Sequence, residues 1–463
     1  LTNPTPGTLQ QILRWNVPIV GEKLRDFQAR ESAAYRQSRP LSAARANQEN
    51  GFFGGVPQHW MLDWPMPFPL VVRQASGTSL TDLDGHVLTD LCLGDTGAMF
   101  GHNPEPVARA VRRQASRGLT SMLPSANVEA VGSLLQARFG MPYWQVTLTA
   151  SDANRFALRA ARAITKRPKI LAFDGCYHGA VDETAVNLSA GQTVAKPSLW
   201  GQAYDLAALT TCVAFNDVEA LGSALAREDI ACVIMEPALT NCGMVAPAPG
   251  FLEEVRRLTR AHGTLLLIDE THTLSTGPGG WTGTYGLEPD FWVAGKAVAG
   301  GIPAGVWGFT HEVKRGIERV RTELPAGHSG VGTTLSGSAL QLAALRACLQ
   351  EVMTESNYAA MIAGAIALED GLKYLIARLG LPWSVIRLGA RLETVFAPSL
   401  PTNAEQMRAS FNGELEAALH LGLLNRGFLV TPFHNMVLAG PSLSKEAPAA
   451  YVAALDCILD EIL

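Results

Sequence analysis

Between residues 145 and 310, short unbroken apolar runs alternate with stretches of helical spacing. The runs fall at 146–149, 170–173, 212–215, 232–235, 265–268, 291–294 and 306–310. Each is too short for a helix, and all but the alternating 146–149 are apolar on both faces, the pattern of strands buried in a parallel sheet. Amphipathic stretches at 153–164, 218–227 and 250–262 fill several of the gaps. This alternation predicts an α/β fold with a mainly parallel sheet covered on both faces. Ligands of such sheets bind beyond the carboxyl ends of the strands.

Outside this block the pattern changes twice. Helical spacing is expected at 9–24 and 24–35. An aromatic, glycine-rich loop follows, Asn50-Gly51-Phe52-Phe53-Gly54-Gly55-Val56-Pro57, and then Trp60, Trp64, Pro65, Pro67 and Pro69, which no regular helix accommodates. From Leu70 polar and apolar residues alternate, and Asp84-Gly85 reads as a hairpin turn. Helices are expected at 106–117 and 127–139, and again at 339–352 and 361–379. Strands near 392–396 and 436–438 mark a smaller α+β unit. The expected organisation is 1–100 for helices, aromatic loop and hairpin, 101–343 for the large domain, and 344–463 for a small C-terminal domain.

Composition narrows the function classes. With 47% hydrophobic and 17% charged residues in 463, the chain can bury a sizeable core. A net charge of −5 without a basic cluster leaves no footprint for nucleic acid or an anionic membrane. The seven cysteines are scattered with no CxxC pair, against both a disulfide framework and a zinc site. No apolar run approaches the roughly 18–20 residues of a membrane span. The start, Leu1-Thr2-Asn3-Pro4, has neither initiator methionine nor signal-peptide core. A soluble, cytoplasmic protein is expected.

The candidate chemistry sits at the predicted strand ends. The run 265–268 ends in Asp269 and Glu270, and the run 291–294 leads through Gly295 to Lys296 and on to Gly300-Gly301. A desolvated lysine becomes a usable nucleophile and proton carrier. Ser151 opens a strand-to-helix junction, where backbone N–H groups make a phosphate cup. Tyr177-His178-Gly179 follows another strand and offers a ring to stack on. An imine-forming amine, an acid, a ring partner and a phosphate cup are what pyridoxal phosphate requires. Asp269 is also open to the plainer role of a helix cap.

The runs FDGCYHGAVDE, MEPALTNCGMVAPAPGFLEEVRRLTRAHGTLLLIDET and GLEPDFWVAGKAVAGGIPAGVWG resemble, in order and spacing, those of class III aminotransferases. The likeness is good over about 70–345. It implies fold type I, with pyridoxal 5'-phosphate as cofactor and a homodimer with shared active sites. Lys296 is then the Schiff-base lysine, and Asp269 the acid at the pyridine nitrogen. Tyr177 stacks on one ring face and Thr271 stands against the other, where valine is usual. Ala150 and Ser151 match the phosphate cup, and Thr334 matches the threonine reaching the phosphate of the neighbouring subunit. His178, Glu236, Asn241 and His272 complete the expected cofactor-binding set, with His272 near the phenolic oxygen.

Departures from the family bear on the substrate. Asn241 replaces a gating glutamate, and Asn-x-Gly here resembles the glutamate-1-semialdehyde aminomutase-like subgroup. That subgroup's tryptophan segment is instead Gly94-Asp95-Thr96-Gly97-Ala98-Met99-Phe100, placing an acid, Asp95, near the substrate, a departure that counts against the aminomutase assignment. Such an acid suits an amine donor with a second positive group. Arg45, Arg391 and Arg426 are the candidates for a carboxylate partner. The expected reaction moves an amino group from a primary amine or amino acid, β- or ω-amino compounds included, to a 2-oxo acid such as pyruvate or 2-oxoglutarate. The alternative is an aminomutase or racemase.

Overall fold

Seven strands build the central sheet: β1 (Tyr143–Thr147), β2 (Lys169–Phe173), β3 (Thr210–Val213), β4 (Ile230–Met235), β5 (Leu265–Asp269), β6 (Phe291–Ala294) and β7 (Gly305–Phe309). Their order is β1-β7-β6-β5-β4-β2-β3. β5 runs parallel to both neighbours, with Leu267 opposite Phe291 and Ile234. β7 is antiparallel to β6 and β1, so it is the strand that makes the sheet mixed. Every residue of β4, β6 and β7 is buried, which is why these runs are apolar without alternation. The computed structural model describes residues 21–463 apart from His328. Most of the helix expected at 9–24 lies outside the described residues.

Helix α1 (Ala150–Thr165) turns Ala153, Ala157 and Ala161 into the core, small residues that let it lie close to the sheet. Its start explains why β1 ends sooner than the apolar run suggests. Thr149 Oγ1 accepts the Asp152 N–H at 3.1 Å, so 148–149 belong to the helix entry rather than the strand. Helix α2 (Phe251–Ala261) buries Val255 and Leu258 in the same core. The expected helix at 339–352 is α-helical over Ala339–Ala347 and then widens into a π turn, Cys348–Val352.

The segments expected as first and last units share a core. The helix Gly21–Ser38 packs Leu24 and Phe27 among Leu415, Leu419 and Ile458. The expected hairpin around Asp84-Gly85 forms, and its second strand, Val87–Asp90, also pairs in parallel with Phe428–Leu429. Pairing of segments so far apart has no local sequence signal. A further three-stranded sheet joins Ser384–Leu388, Arg391–Val395 and Val437–Leu438. All seven cysteines are free, six of them buried. Among the described residues no helix is long and apolar enough to cross a membrane.

Candidate active site

The carboxyl ends of β4, β5 and β6 and the start of α1 converge on a cavity of about 540 Å³. Ala150, Ser151, Tyr177, His178, Glu236, Asp269, Thr271, His272 and Lys296 all line it, so residues spread over 147 positions of sequence meet at one place (296 − 150 + 1).

Asp269 ends β5 fully buried, and four hydrogen bonds hold its carboxylate. Oδ2 accepts from Asn154 Nδ2 at 2.8 Å and His178 Nδ1 at 3.0 Å, and Oδ1 from the Thr271 N–H at 3.1 Å and Oγ1 at 2.7 Å. Burial opposes ionisation, but the His178 hydrogen bond and charge, with Thr271 and Asn154, hold the carboxyl below its usual range. Burial likewise opposes a charged His178, yet the Cys176 sulfur and the Asp269 carboxylate outweigh it and push the imidazole up to about 10. Thr271, where the family resemblance has valine, thus adds one hydroxyl donor to the acid, beside a backbone N–H that valine would also supply. Asn154 was not among the sequence candidates. Its signal was an amide on the face of α1 that otherwise carries Ala153, Ala157 and Ala161.

The adjacent acid does different work. Glu270 is buried and accepts from Thr273 Oγ1, the Trp281 N–H at 2.9 Å and the Thr282 N–H at 2.5 Å, closing the turn into Gly280–Tyr285. Gly280 has φ +68°, and a Cβ there would fall 2.8 Å from Glu270 Oε2.

Lys296 follows β6 with φ +47°, a left-handed conformation that is uncommon for non-glycine residues. Gly295 before it allows the close approach to α1, since a Cβ would lie 2.9 Å from the Ala150 Cβ. Lys296 Nζ donates to Asp95 Oδ2 at 2.7 Å and to His272 Nε2 at 2.7 Å. An ammonium has no lone pair, so His272 accepts with Nε2 and carries its proton on Nδ1, toward Thr96 Oγ1 at 3.5 Å. Burial and the Lys296 charge hold His272 well below its ordinary range, keeping it neutral. Burial works against a charged Asp95, but Lys296, His272 and Arg391 together keep its carboxyl low.

The loop presenting Asp95 is left-handed throughout, with φ of 48° at Leu93, 57° at Gly94, 47° at Asp95 and 82° at Thr96. Each non-glycine member costs about 1–2 kcal/mol relative to the right-handed form. Arg391 braces the loop: Nη2 donates to Thr96 Oγ1, and Nη1 lies 3.8 Å from Asp95 Oδ1. Its side chain is 2% exposed.

The remaining candidates lie elsewhere. Asn241 does not line the cavity; its Nδ2 donates to Glu236 Oε2 at 3.1 Å, and Glu236 Oε1 accepts the Tyr177 N–H at 3.1 Å. Its placement is one step behind the wall, beside the acid that positions Tyr177. Thr334 is exposed and off this cavity. Arg426 is committed to Glu31 at 2.8 Å and Glu461 at 3.0 Å, and Arg45 is exposed beside Gln48. Among the described residues no arginine lines this cavity in the single chain; Arg391 stands behind it, beside Asp95. At the mouth, Trp60 stands edge-on to Tyr177 at 6.4 Å and to Phe433 at 6.0 Å.

The residues present fit pyridoxal phosphate. Ser151 Oγ accepts the Ala180 N–H at 3.0 Å, which leaves its own hydrogen to donate at the start of α1. A Cβ on Gly179 would fall 2.0 Å from that oxygen, so the cup tolerates only glycine there. Asp269, kept ionised, suits a protonated ring nitrogen.

Comparison with known proteins bears this out. The family model for aminotransferase class-III matches residues 62–444. The chain is 32% identical to the glutamate-1-semialdehyde 2,1-aminomutase 2 of Exiguobacterium sibiricum, over 79% of this chain and 83% of that protein. A structure described as a glutamate-1-semialdehyde-aminomutase from Pseudomonas aeruginosa PAO1 superposes with a TM-score of 0.94 at 45% identity, covering 96% of this chain and all of that one. The same enzyme is known with PMP bound. A β-phenylalanine aminotransferase from Variovorax paradoxus superposes with a TM-score of 0.82 at 25% identity, covering 95% and 97%. The chain belongs to the class-III aminotransferases, fold-type-I enzymes that work with pyridoxal phosphate.

Proposed function

We propose that this enzyme exchanges an amino and a carbonyl group between neighbouring carbons of one substrate, the reaction type of the glutamate-1-semialdehyde aminomutases. The alternative read from the sequence thereby becomes the leading reading, ahead of transfer to a 2-oxo acid. The observation that carries it is Asp95 Oδ2 at 2.7 Å from Lys296 Nζ. An α-amino acid or 2-oxo acid carries a carboxylate on the carbon next to the reacting one. Two like charges about 5 Å apart repel by about 3 kcal/mol at an effective dielectric of 20. An amino aldehyde or amino ketone has no carboxylate at that carbon and escapes the penalty. The names of the relatives support the same reading.

The bound cofactor supplies an electron sink for bonds broken at the substrate carbon. Lys296 would hold the cofactor, and it takes the proton from, or returns it to, whichever substrate carbon is reacting. Asp269 keeps the ring nitrogen protonated, and Tyr177 flanks the ring. Ala150 and Ser151 hold the phosphate. Thr334, exposed in a single chain, reaches a second chain's phosphate in a homodimer. The free thiols suit the cytoplasm.

The test is turnover of glutamate-1-semialdehyde with no oxo acid added. Product formation without an acceptor supports the isomerase. Turnover that begins only when pyruvate or 2-oxoglutarate is supplied would make the enzyme a transaminase. That second reading draws on the same Asp95, which admits a terminal primary amine as donor but repels the carboxylate of the 2-oxo acid acceptor.

A further inference from the structure

Lys296 shows what its own surroundings accept. Its ammonium is held by one carboxylate oxygen, Asp95 Oδ2, and one neutral ring nitrogen, His272 Nε2, each at 2.7 Å. Both groups are fixed from behind. Arg391 sets the Asp95 loop through Thr96, and its Nη1 donates to Met436 Sδ at 3.1 Å. His272 is 5% exposed. When Lys296 bonds to a carbonyl carbon or hands on its proton, its nitrogen ceases to be an ammonium, and both acceptors lose their donor. A buried acceptor without a donor is costly, so a like group must take the place. Asp95 keeps 38% of its side-chain surface accessible, so the place can be reached.

We infer that Asp95 Oδ2 and His272 Nε2 form a substrate ammonium seat, in which a primary ammonium of the substrate replaces that of Lys296. The inference rests on the amino-exchange reading and deepens it. Midway through an exchange between neighbouring carbons, both carbons carry nitrogen. One nitrogen is at the reacting position, and the other is a free ammonium that must be kept from leaving. The seat lies within the reach of the lysine side chain and hence beside the reacting carbon. Arg391 cannot take a substrate carboxylate in its stead, because its two terminal nitrogens face Thr96, Met436 and Asp95. Asp95 therefore selects substrates that are diamines, or become so in transit.

The test uses Lys296→Ala protein saturated with 4'-deoxypyridoxine 5'-phosphate, a cofactor analogue with a methyl group in place of the aldehyde, so that neither protein nor cofactor supplies an ammonium at the seat. Propylamine and its uncharged analogue propan-1-ol are titrated by calorimetry. Saturable propylamine binding at least tenfold tighter than propanol is expected, with at least a tenfold loss in Lys296→Ala/Asp95→Asn and retention in Lys296→Ala/His272→Gln, whose amide oxygen still accepts. Equal binding of propylamine and propanol overturns the seat even if the double variants fail to fold. Equal propylamine binding with and without Asp95→Asn overturns it as well. If single-substrate turnover fails while propylamine still binds, the seat stands and the exchange reading falls. If turnover holds and propylamine does not bind, the seat falls alone.

Discussion

Two of the carboxylates around this site, Asp269 and Asp95, are built in opposite ways. Asp269 ends a central strand, is fully buried, and is locked by His178, Asn154 and Thr271. Asp95 sits on a left-handed loop, partly accessible, and its partner at 2.7 Å is Lys296, the lysine proposed to carry the chemistry. A carboxylate whose partners never change can set one protonation state for the whole cycle. One whose partner leaves during the reaction is placed to receive a substitute. The rigid acid rests on the sheet, whereas the exchangeable acid rests on strained backbone held by a buried arginine.

This contrast can be broken or sharpened by measurement. Lys296→Ala removes the amine that Asp95 holds, and kcat should fall by about 10⁴-fold or more, the upper range for a positioned proton carrier. Steady-state assays check it, and residual turnover near wild type would undo the assignment. Asp269→Asn leaves the His178 cation buried without its partner, a loss of about 3–5 kcal/mol of folding stability. Urea unfolding reads that loss, and a drop below 1 kcal/mol would mean the pair is not ionic. Asp95→Asn, by contrast, should change stability by about 1 kcal/mol or less, as for partly exposed ion pairs, while raising KM for amine substrates.

The pH dependence differs between the two regions as well. His178 is raised from 6.5 to about 10. Its contribution to stability is therefore complete below pH 6.5 and lost as pH climbs toward 10. Asp269, held below its ordinary 3.8, contributes above that value and loses its contribution as acid protonates it. Thermal melting should accordingly show a decline from pH 6.5 to 10 that His178→Gln flattens; an unchanged slope would deny the charged imidazole. The smallest expected effect is that of Thr271→Val, which removes one hydroxyl donor from Asp269 for about 1 kcal/mol.

Much of the large sheet was legible because burial on both faces writes itself as unbroken apolar runs, and Lys296 and Asp269 stood out as charges at the ends of such runs. The short strand Phe428–Leu429 was not legible, since its partner lies more than 300 residues away and two residues carry no period. Ser384–Leu388 was missed for a related reason: Ser384 and Arg387 interrupt its apolar pattern, yet Arg387 reaches Glu369 at 2.5 Å and Gly389 at 3.0 Å. Asn154 stayed hidden because one amide on a helix face reads as tolerated polarity until its partner is known.

The residues alone pointed to the sheet and the cofactor class and singled out Lys296 and Asp269 as candidates, because each rests on local periodicity or on a motif. Tertiary structure decided which residues act together. It sent Asp269 to the cavity and Glu270 into a turn, though they are neighbours in sequence. It turned Arg391 from a candidate substrate ligand into a brace, and it set Asp95 against a lysine 201 residues away. Charge pairs of that kind are fixed by how distant strands and loops pack, and no spacing along the chain encodes them.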